Sequence, residues 1–132
     1  KHNPLVVNKW LALQAQRNVP NALNNVEALL NHEAFDLQNP NKVYALIGGF
    51  CSKNEQFHQV EGHGYQFLAK QIIALNLKNP QVASRMLEPL TSFKKLAEPH
   101  QSHMKQALKL IQSQPTLSPD VFEIVSKSLA HE

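Results

Sequence analysis

Histidine is the residue type through which this 132-residue chain could most readily bind a metal ion, since the chain contains seven of them. His32-Glu33 opens like the zinc motif H-E-x-x-H, but Asp36 stands where the motif requires its second histidine. His100 and His103 are three residues apart, which places them on one face of a helix, but no third ligand lies nearby in the sequence. We therefore interpret His100 and His103 as a solvated pair rather than as a metal clamp.

The single cysteine and two further histidines also lack a catalytic pattern. Cys51 follows two glycines and a phenylalanine, with no acid–base pattern pointing to it, and a packed thiol is the better interpretation. His58 and His63 belong to a loop that also contains Gly62 and Gly64, where turn formation explains them as well as ligand binding does. The sequence has no glycine-rich phosphate loop and no nucleophile elbow. Taken alone, this chain is not predicted to be an enzyme.

The stretch NPQVASRMLEPL, residues 79–90, could form a ligand-binding site rather than a catalytic one. Asn79 before Pro80 predicts a helix start, and the next residues commit one face of that helix to a core. That apolar face consists of Val82, Met86, Leu90 and Phe93. Gln81 and Arg85 are four residues apart and share the opposite face, where an amide and a guanidinium suit a peptide carbonyl or a terminal carboxylate. The alternative is an exposed polar face on which Arg85 pairs with Glu88 or with nothing.

Pairs of a capping residue and a proline recur along the chain at intervals of about 40 residues, each followed by an apolar helical pattern. These pairs are Asn3-Pro4, Asn39-Pro40, Asn79-Pro80 and Ser118-Pro119. No segment alternates like a strand. The spacing therefore predicts an all-α fold of antiparallel helix pairs stacked as a HEAT- or armadillo-like superhelix. We expect seven or eight helices that begin near residues 4, 21, 40, 64, 80, 99 and 119. An irregular bundle with caps spaced by chance is the alternative.

Three local features refine this prediction. The segment from Tyr65 to Leu77 is apolar over most of its circumference, which is typical of a central helix covered on several sides. Gly48-Gly49 should loosen the third helix near its end, since each glycine costs ~1 kcal/mol relative to alanine. Pro89 cannot donate a backbone hydrogen bond to the carbonyl of Arg85, so the helix should bend or end around residues 85–89.

Composition limits the class of protein. The formal net charge is +3 and the basic residues are scattered, so a nucleic-acid surface is not expected. No apolar run reaches the roughly 18 residues of a membrane span. A lone cysteine suits a reducing compartment, and we expect a cytoplasmic location. The length fits a single domain over residues 1–132, and the start at Lys1 without a methionine reads as a piece excised from a larger protein.

Three runs resemble the C-terminal domain of bacterial aminopeptidase N, a family of zinc-dependent alanyl aminopeptidases of the gluzincin type. They read HEAFDLQNPNKVYALIGGF, HGYQFLAKQIIALNLKNPQVASRMLEPL and LSPDVFEIVSKSLA, and the resemblance spans nearly the whole chain. It implies a non-catalytic helical-repeat domain that caps the active site of a separate catalytic domain of the same chain. The resemblance also implies that the zinc ligands and the general base belong to that other domain. Their motifs, H-E-x-x-H and G-x-M-E-N, do not occur in this sequence, so neither role is assigned to this chain.

The resemblance also implies that Gln81 and Arg85 line the channel that receives peptide substrates. Lys42 is a weaker candidate, because this position is usually arginine in the family and lysine lacks the planar fork that grips a carboxylate. These three residues are the substrate-channel candidates of the sequence. An independent HEAT-like adaptor that binds proteins through a concave face is the alternative function.

We predict that the purified 132-residue chain binds no stoichiometric zinc and does not cleave alanyl-nitroanilide substrates, because the sequence provides no ligand set. Metal analysis after dialysis and a chromogenic assay would check this. One equivalent of zinc together with turnover, in a preparation free of host peptidase, would contradict the proposed division between catalytic and helical domains.

Overall fold

The computed structural model describes residues 3–130, and these residues are helical with no strand. The α-helices, in chain order, are α1 Pro4–Ala15, α2 Ala22–Leu30, α3 Pro40–Val43, α4 Gly49–Lys53, α5 His63–Lys78, α6 Pro80–Arg85, α7 His100–Gln112 and α8 Pro119–Ala130. A π-helical turn, Tyr44–Gly48, joins α3 to α4 without a break, so residues 3–130 form seven helical segments. Short 3₁₀ turns lie at Glu55–His58, Glu88–Leu90 and Phe93–Lys95. The predicted all-α class and helix number are confirmed.

The predicted capping residues begin four of these helices. In each case the side-chain oxygen accepts a hydrogen bond from a backbone N–H in the first turn, and a proline occupies the first helical position. The bonds are Leu5 N to Asn3 Oδ1 (2.8 Å), Lys42 N to Asn39 Oδ1 (3.3 Å), Val82 N to Asn79 Oδ1 (3.3 Å) and Val121 N to Ser118 Oγ (3.3 Å). The other predicted starts, near 21, 64 and 99, each fall within one residue of an observed start.

The first compact unit ends at Phe57, and in it α1 packs against α2 and against the continuous helical segment 40–53. Its core is formed by side chains with no exposed surface: Leu11, Val26, Leu46, Ile47, Phe50 and Phe57. The rings of Phe50 and Phe57 meet edge to face with centroids 6.0 Å apart. This aromatic contact fixes the end of α4 against the turn that follows it.

The two glycines in segment 40–53 lie where the helix departs from α geometry, since the π-helical turn Tyr44–Gly48 ends at the first of them, but the chain stays helical through both. Gly48 ends the π-helical turn and Gly49 continues directly into α4. A Cβ atom on Gly49 would lie only 3.1 Å from the Cβ of Ala15, so α1 approaches this helix more closely than a larger residue would allow. The packing of α1 compensates for the helix propensity that glycine lacks.

The second compact unit starts at His58 and is built around α5, which packs against α6 and α7. The buried side chains of α5 include Tyr65, Leu68, Ile72 and Leu75, all without exposed surface. Helix α7 in turn packs against α8. The central position predicted for α5 is thus confirmed, although Leu77 near the end of α5 is 72% exposed.

Helix α6 ends at Arg85, as Pro89 led us to expect. The chain continues in a 3₁₀ turn over Glu88–Leu90, in which the N–H of Leu90 donates to the carbonyl of Leu87 at 2.9 Å. The predicted apolar face nevertheless stays buried through this change of helix type, since Met86 is 5% exposed and Leu90 is fully buried. Core burial therefore does not require an unbroken α-helix here.

Two buried asparagines connect elements that are distant in sequence, one within each unit. Asn54, 4% exposed, donates from Nδ2 to the carbonyl oxygens of Ala15 (2.9 Å) and Arg17 (2.8 Å) at the end of α1. Asn76, 7% exposed, bridges the loop between α7 and α8: its Nδ2 donates to the Thr116 carbonyl, and its Oδ1 accepts from Ser118 N–H, each at 2.8 Å. These amides satisfy backbone groups that have no helical partner.

We predict that Asn54→Ala and Asn76→Ala each lower the free energy of unfolding by roughly 1–3 kcal/mol, because each leaves backbone groups without a partner. Urea denaturation followed by circular dichroism measures the change. Asn24→Ala is the matched control, since Asn24 is exposed on α2, and it should stay within about 0.5 kcal/mol. If all three substitutions lowered the free energy of unfolding equally, the buried amides would not stabilise the fold more than an exposed asparagine does.

Candidate functional site

Gln81 and Arg85 lie together on the exposed side of α6, and we call this pair the α6 polar face. Val82 and Met86, each 5% exposed, hold the opposite side of the helix against the core. The cap at Asn79 fixes the start of the helix two residues before Gln81. The geometry predicted for this pair is therefore present, with both side chains accessible to a ligand.

The Arg85 guanidinium makes no ion pair or hydrogen bond with any residue from 3 to 130. In particular it does not pair with Glu88, the intramolecular partner that the sequence offered as an alternative. The amide of Gln81 is also unpaired within the described chain, although its backbone carbonyl accepts a hydrogen bond from Ser84 Oγ at 2.9 Å. A planar guanidinium and an amide are thus available to bind a carboxylate or a peptide group.

Lys42, the third candidate, belongs to the first compact unit. It lies at the third position of α3 and is half-buried, and its backbone N–H is held by the Asn39 cap. Its ammonium makes no ion pair within residues 3–130. It supplies a positive charge at this position without the bidentate geometry of arginine.

The histidines of the second unit support a turn rather than a metal site. His58 Nδ1 is hydrogen-bonded to the hydroxyl of Tyr65 at 2.6 Å, and His100 Nε2 donates to the backbone carbonyl of His58 at 2.8 Å. Gly62 adopts a left-handed φ of +81°, and a Cβ there would lie 2.7 Å from the Cβ of His103. His100 and His103 are therefore half-buried against the turn, not solvated as the sequence suggested.

The charge state of His58 follows from this arrangement. Partial burial lowers the pKa of His58 from its ordinary value, and repulsion from the neighbouring His100 lowers this pKa further. The folded state therefore favours neutral His58. As the pH falls below the usual histidine range, protonation of His58 lowers the free energy of unfolding.

No group of three or more His, Cys, Asp or Glu side chains within residues 3–130 is arranged to hold a metal ion. His32, which opens the incomplete zinc motif, instead receives the backbone N–H of Ala34 on Nδ1 at 2.9 Å and faces the ring of Trp10. In addition, no helix within the described range is long and apolar enough to cross a membrane.

Sequence reasoning missed an apolar groove in the first unit. It has a volume of about 280 Å³ and is lined by Val6, Val7, Trp10, His32 and Ala34; we call it the α1 groove. The sequence contains a signal for this groove: α1 carries apolar residues both on its buried face, at Leu11 and Ala15, and on its outer face.

Within residues 3–130, capped helices recur at intervals of about 40 residues, as in a helical-repeat domain. Residues 1–130 match the model of a family described as a domain of unknown function (DUF3458_C) with ARM repeats. This chain belongs to that family.

The chain is also similar to parts of larger aminopeptidases. It is 42% identical over 130 residues to aminopeptidase N of Haemophilus influenzae, covering 98% of this chain and 15% of that protein. It is 42% identical over 129 residues to aminopeptidase N of Escherichia coli, covering 97% of this chain. A crystal structure of Legionella pneumophila aminopeptidase A in complex with aspartic acid matches with a TM-score of 0.94 and 40% identity, over 99% of this chain and 15% of that one. The chain thus spans about 15% of the length of these relatives, in their C-terminal region.

We predict that Cys51 is unreactive in the folded protein. It is 4% exposed, and burial raises the pKa of its thiol well above the usual value, so little thiolate is available to attack a reagent. Ellman's reagent should label it at least about 100-fold more slowly in buffer than in urea. Rapid labelling of the native chain would contradict this burial.

Proposed function

We propose that this chain is the non-catalytic C-terminal domain of a zinc metallo-aminopeptidase, an enzyme that removes N-terminal amino acids from peptides. The observation that carries this proposal is the 42% identity over nearly the whole chain to the C-terminal region of two bacterial aminopeptidases N. Identity at this level, together with the TM-score of 0.94, supports a common position in a larger molecule.

Catalysis then belongs to another domain of the same chain. Residues 3–130 offer no group of ligands for zinc, and their one thiol is buried. As the resemblance to the C-terminal domain of aminopeptidase N implies, we propose that this domain caps the active site and lines the channel through which peptides enter. It acts by binding and excluding parts of the substrate, not by moving protons or bonds.

The α6 polar face is the part of the domain suited to contact peptides. Arg85 presents a permanent charge with two parallel N–H groups, which matches a carboxylate or a main-chain carbonyl of a peptide. Gln81, one turn earlier, adds both a donor and an acceptor, so it can pair with either half of a peptide group. Lys42, which lies in the first compact unit, is a separate and weaker candidate, since an ammonium attracts negative charge without fixing its orientation.

Such contacts change substrate affinity and length preference more than the chemical step. A contact remote from the scissile bond is present in both the ground state and the transition state, so its loss raises KM and leaves kcat nearly unchanged. Short chromogenic substrates do not extend to the channel wall and would not sense it.

We predict that Arg85→Ala in the full-length enzyme raises KM for peptides of several residues about tenfold, which corresponds to ~1.4 kcal/mol, with kcat within about twofold. Steady-state kinetics on a peptide series and on alanyl-nitroanilide measure the contrast, and the chromogenic substrate should be unaffected. Lys70→Ala, which removes an exposed cation from α5, is the matched control. Equal effects on both substrates, or no effect on either, would indicate that Arg85 is an exposed surface residue that does not contact the peptide.

The placement in a peptidase has its own test, which does not depend on Arg85. The reading frame upstream of Lys1 should continue and encode an H-E-x-x-H motif with a downstream glutamate. A start codon immediately before Lys1 would instead favour the independent helical-repeat adaptor.

A further inference from the structure

A second groove in the first compact unit lies between α1 and the π-helical turn that continues into α4. It has a volume of about 270 Å³ and is lined by Ala12 and Gln16 of α1 and, on the other side, by residues of the segment 44–53; we call it the 44–53 groove. Small residues such as Ala45 and Gly48 leave space between the two helices. The 44–53 groove shares no lining residue with the α1 groove and is a separate feature of this unit.

The π-helical turn shapes one wall of the 44–53 groove. The lining residues of this wall form two rows with a spacing of four: Tyr44, Gly48 and Ser52 in one row, and Ala45, Gly49 and Lys53 in the other. In a regular α-helix a spacing of four places each residue about 40° beyond the previous one, so a row of three would wind away from the groove. A π-helical turn winds less per residue and offsets this drift, and such turns are frequent at functional sites. The turn thus keeps Tyr44, Ser52 and Lys53 on one groove.

Four polar side chains on this groove have no partner within residues 3–130. They are the amide of Gln16, the hydroxyls of Tyr44 and Ser52, and the ammonium of Lys53. No acidic residue of that range lines the groove, so Lys53 gives it a net positive charge. A concave site with a few polar groups that are not used internally is the usual form of a ligand-binding pocket.

The unpaired groups match a carboxylate that is attached to a peptide group. The Lys53 ammonium and the two hydroxyls can donate to carboxylate oxygens, and hydrogen bonds to an ionised acceptor are roughly twice as strong as neutral ones. The Gln16 amide offers both a donor and an acceptor, which a peptide group can use. Typical ligand pockets have volumes of roughly 300–1,000 Å³, so a groove of about 270 Å³ accepts about one or two amino acid residues.

The end of a peptide suits the 44–53 groove better than a free amino acid does. The ammonium of a free amino acid would need an acidic partner, which no lining residue within 3–130 supplies, and Lys53 would repel it. In the last residue of a peptide a neutral N–H takes the place of this ammonium, and the Gln16 carbonyl can accept a hydrogen bond from it. We propose that the 44–53 groove binds the C-terminal residue of a peptide through its carboxylate. The choice of a peptide as the source of the carboxylate rests on the proposed function.

The test is saturation-transfer NMR on the full-length gene product, with N-acetyl-alanyl-alanine as the probe. The acetyl group blocks the amine at which an aminopeptidase acts, so the probe is not consumed. The probe should bind at least about tenfold more tightly than its C-terminal amide, because the amide lacks the charged acceptor. An equal concentration of free alanine should lower the probe signal by less than about one fifth, as expected for a competitor at least tenfold weaker.

Three variants locate the bound probe. Lys53→Gln should weaken probe binding at least about tenfold, since this exposed side chain supplies the positive charge of the groove. Lys70→Gln is the matched control, because it removes the same charge from an exposed position on α5, and it should change the affinity by less than about twofold. Arg85→Ala should also stay within about twofold, which separates the 44–53 groove from the α6 polar face.

Four results would overturn the proposal. They are equal affinities for the acid and the amide, equal affinities of the wild type and Lys53→Gln, loss of probe binding in Arg85→Ala, and displacement of the probe by an equal concentration of free alanine. The third result would assign the carboxylate to the α6 polar face, and the fourth would make a free amino acid the ligand. None of these measurements depends on turnover or on the upstream H-E-x-x-H motif, so failure of this proposal is distinguishable from failure of the proposed function.

Discussion

The helices within residues 3–130 are short, and the structure depends on finding partners for the backbone groups at their ends. Helix starts use local partners, as the Asn79 side chain does for Val82 N–H. The remote joins use Asn54 and Asn76, each of which reaches backbone groups about 40 residues away within its own unit. Without such partners the buried ends would lose more free energy than short helices gain from propensity.

The same constraint positions the candidate site. Helix α6 has only six residues, so its direction is set by the cap at its start and by the burial of Val82 and Met86. Pro89 ends the regular hydrogen bonding soon after Arg85. A short, capped and anchored helix presents Gln81 and Arg85 from a defined backbone while their side chains stay free to meet a ligand. This arrangement favours binding over catalysis, which needs a dry and enclosed centre.

Residue types that suggested chemistry have structural roles instead. Histidine was the prominent candidate for metal binding, yet His58 and His100 bond a tyrosine hydroxyl and a backbone carbonyl around one turn. Gly49 suggested a weak point in a helix and instead permits the close approach of Ala15. In each case the contacting residue belongs to another helix or lies beyond the next turn. A local sequence pattern does not predict such a contact.

The sequence by itself determined where helices begin, which sides of them are apolar, and that Pro89 would interrupt α6, because caps, periodicity and proline geometry act within one or two turns. It also determined that Gln81 and Arg85 share a face, since a spacing of four residues is a property of any helix. Only the tertiary structure decided that Arg85 has no partner within the described chain, that Asn54 and Asn76 close the loops, and that one side of α1 stays uncovered. These outcomes depend on contacts between residues far apart in sequence, and the fold alone brings such residues together.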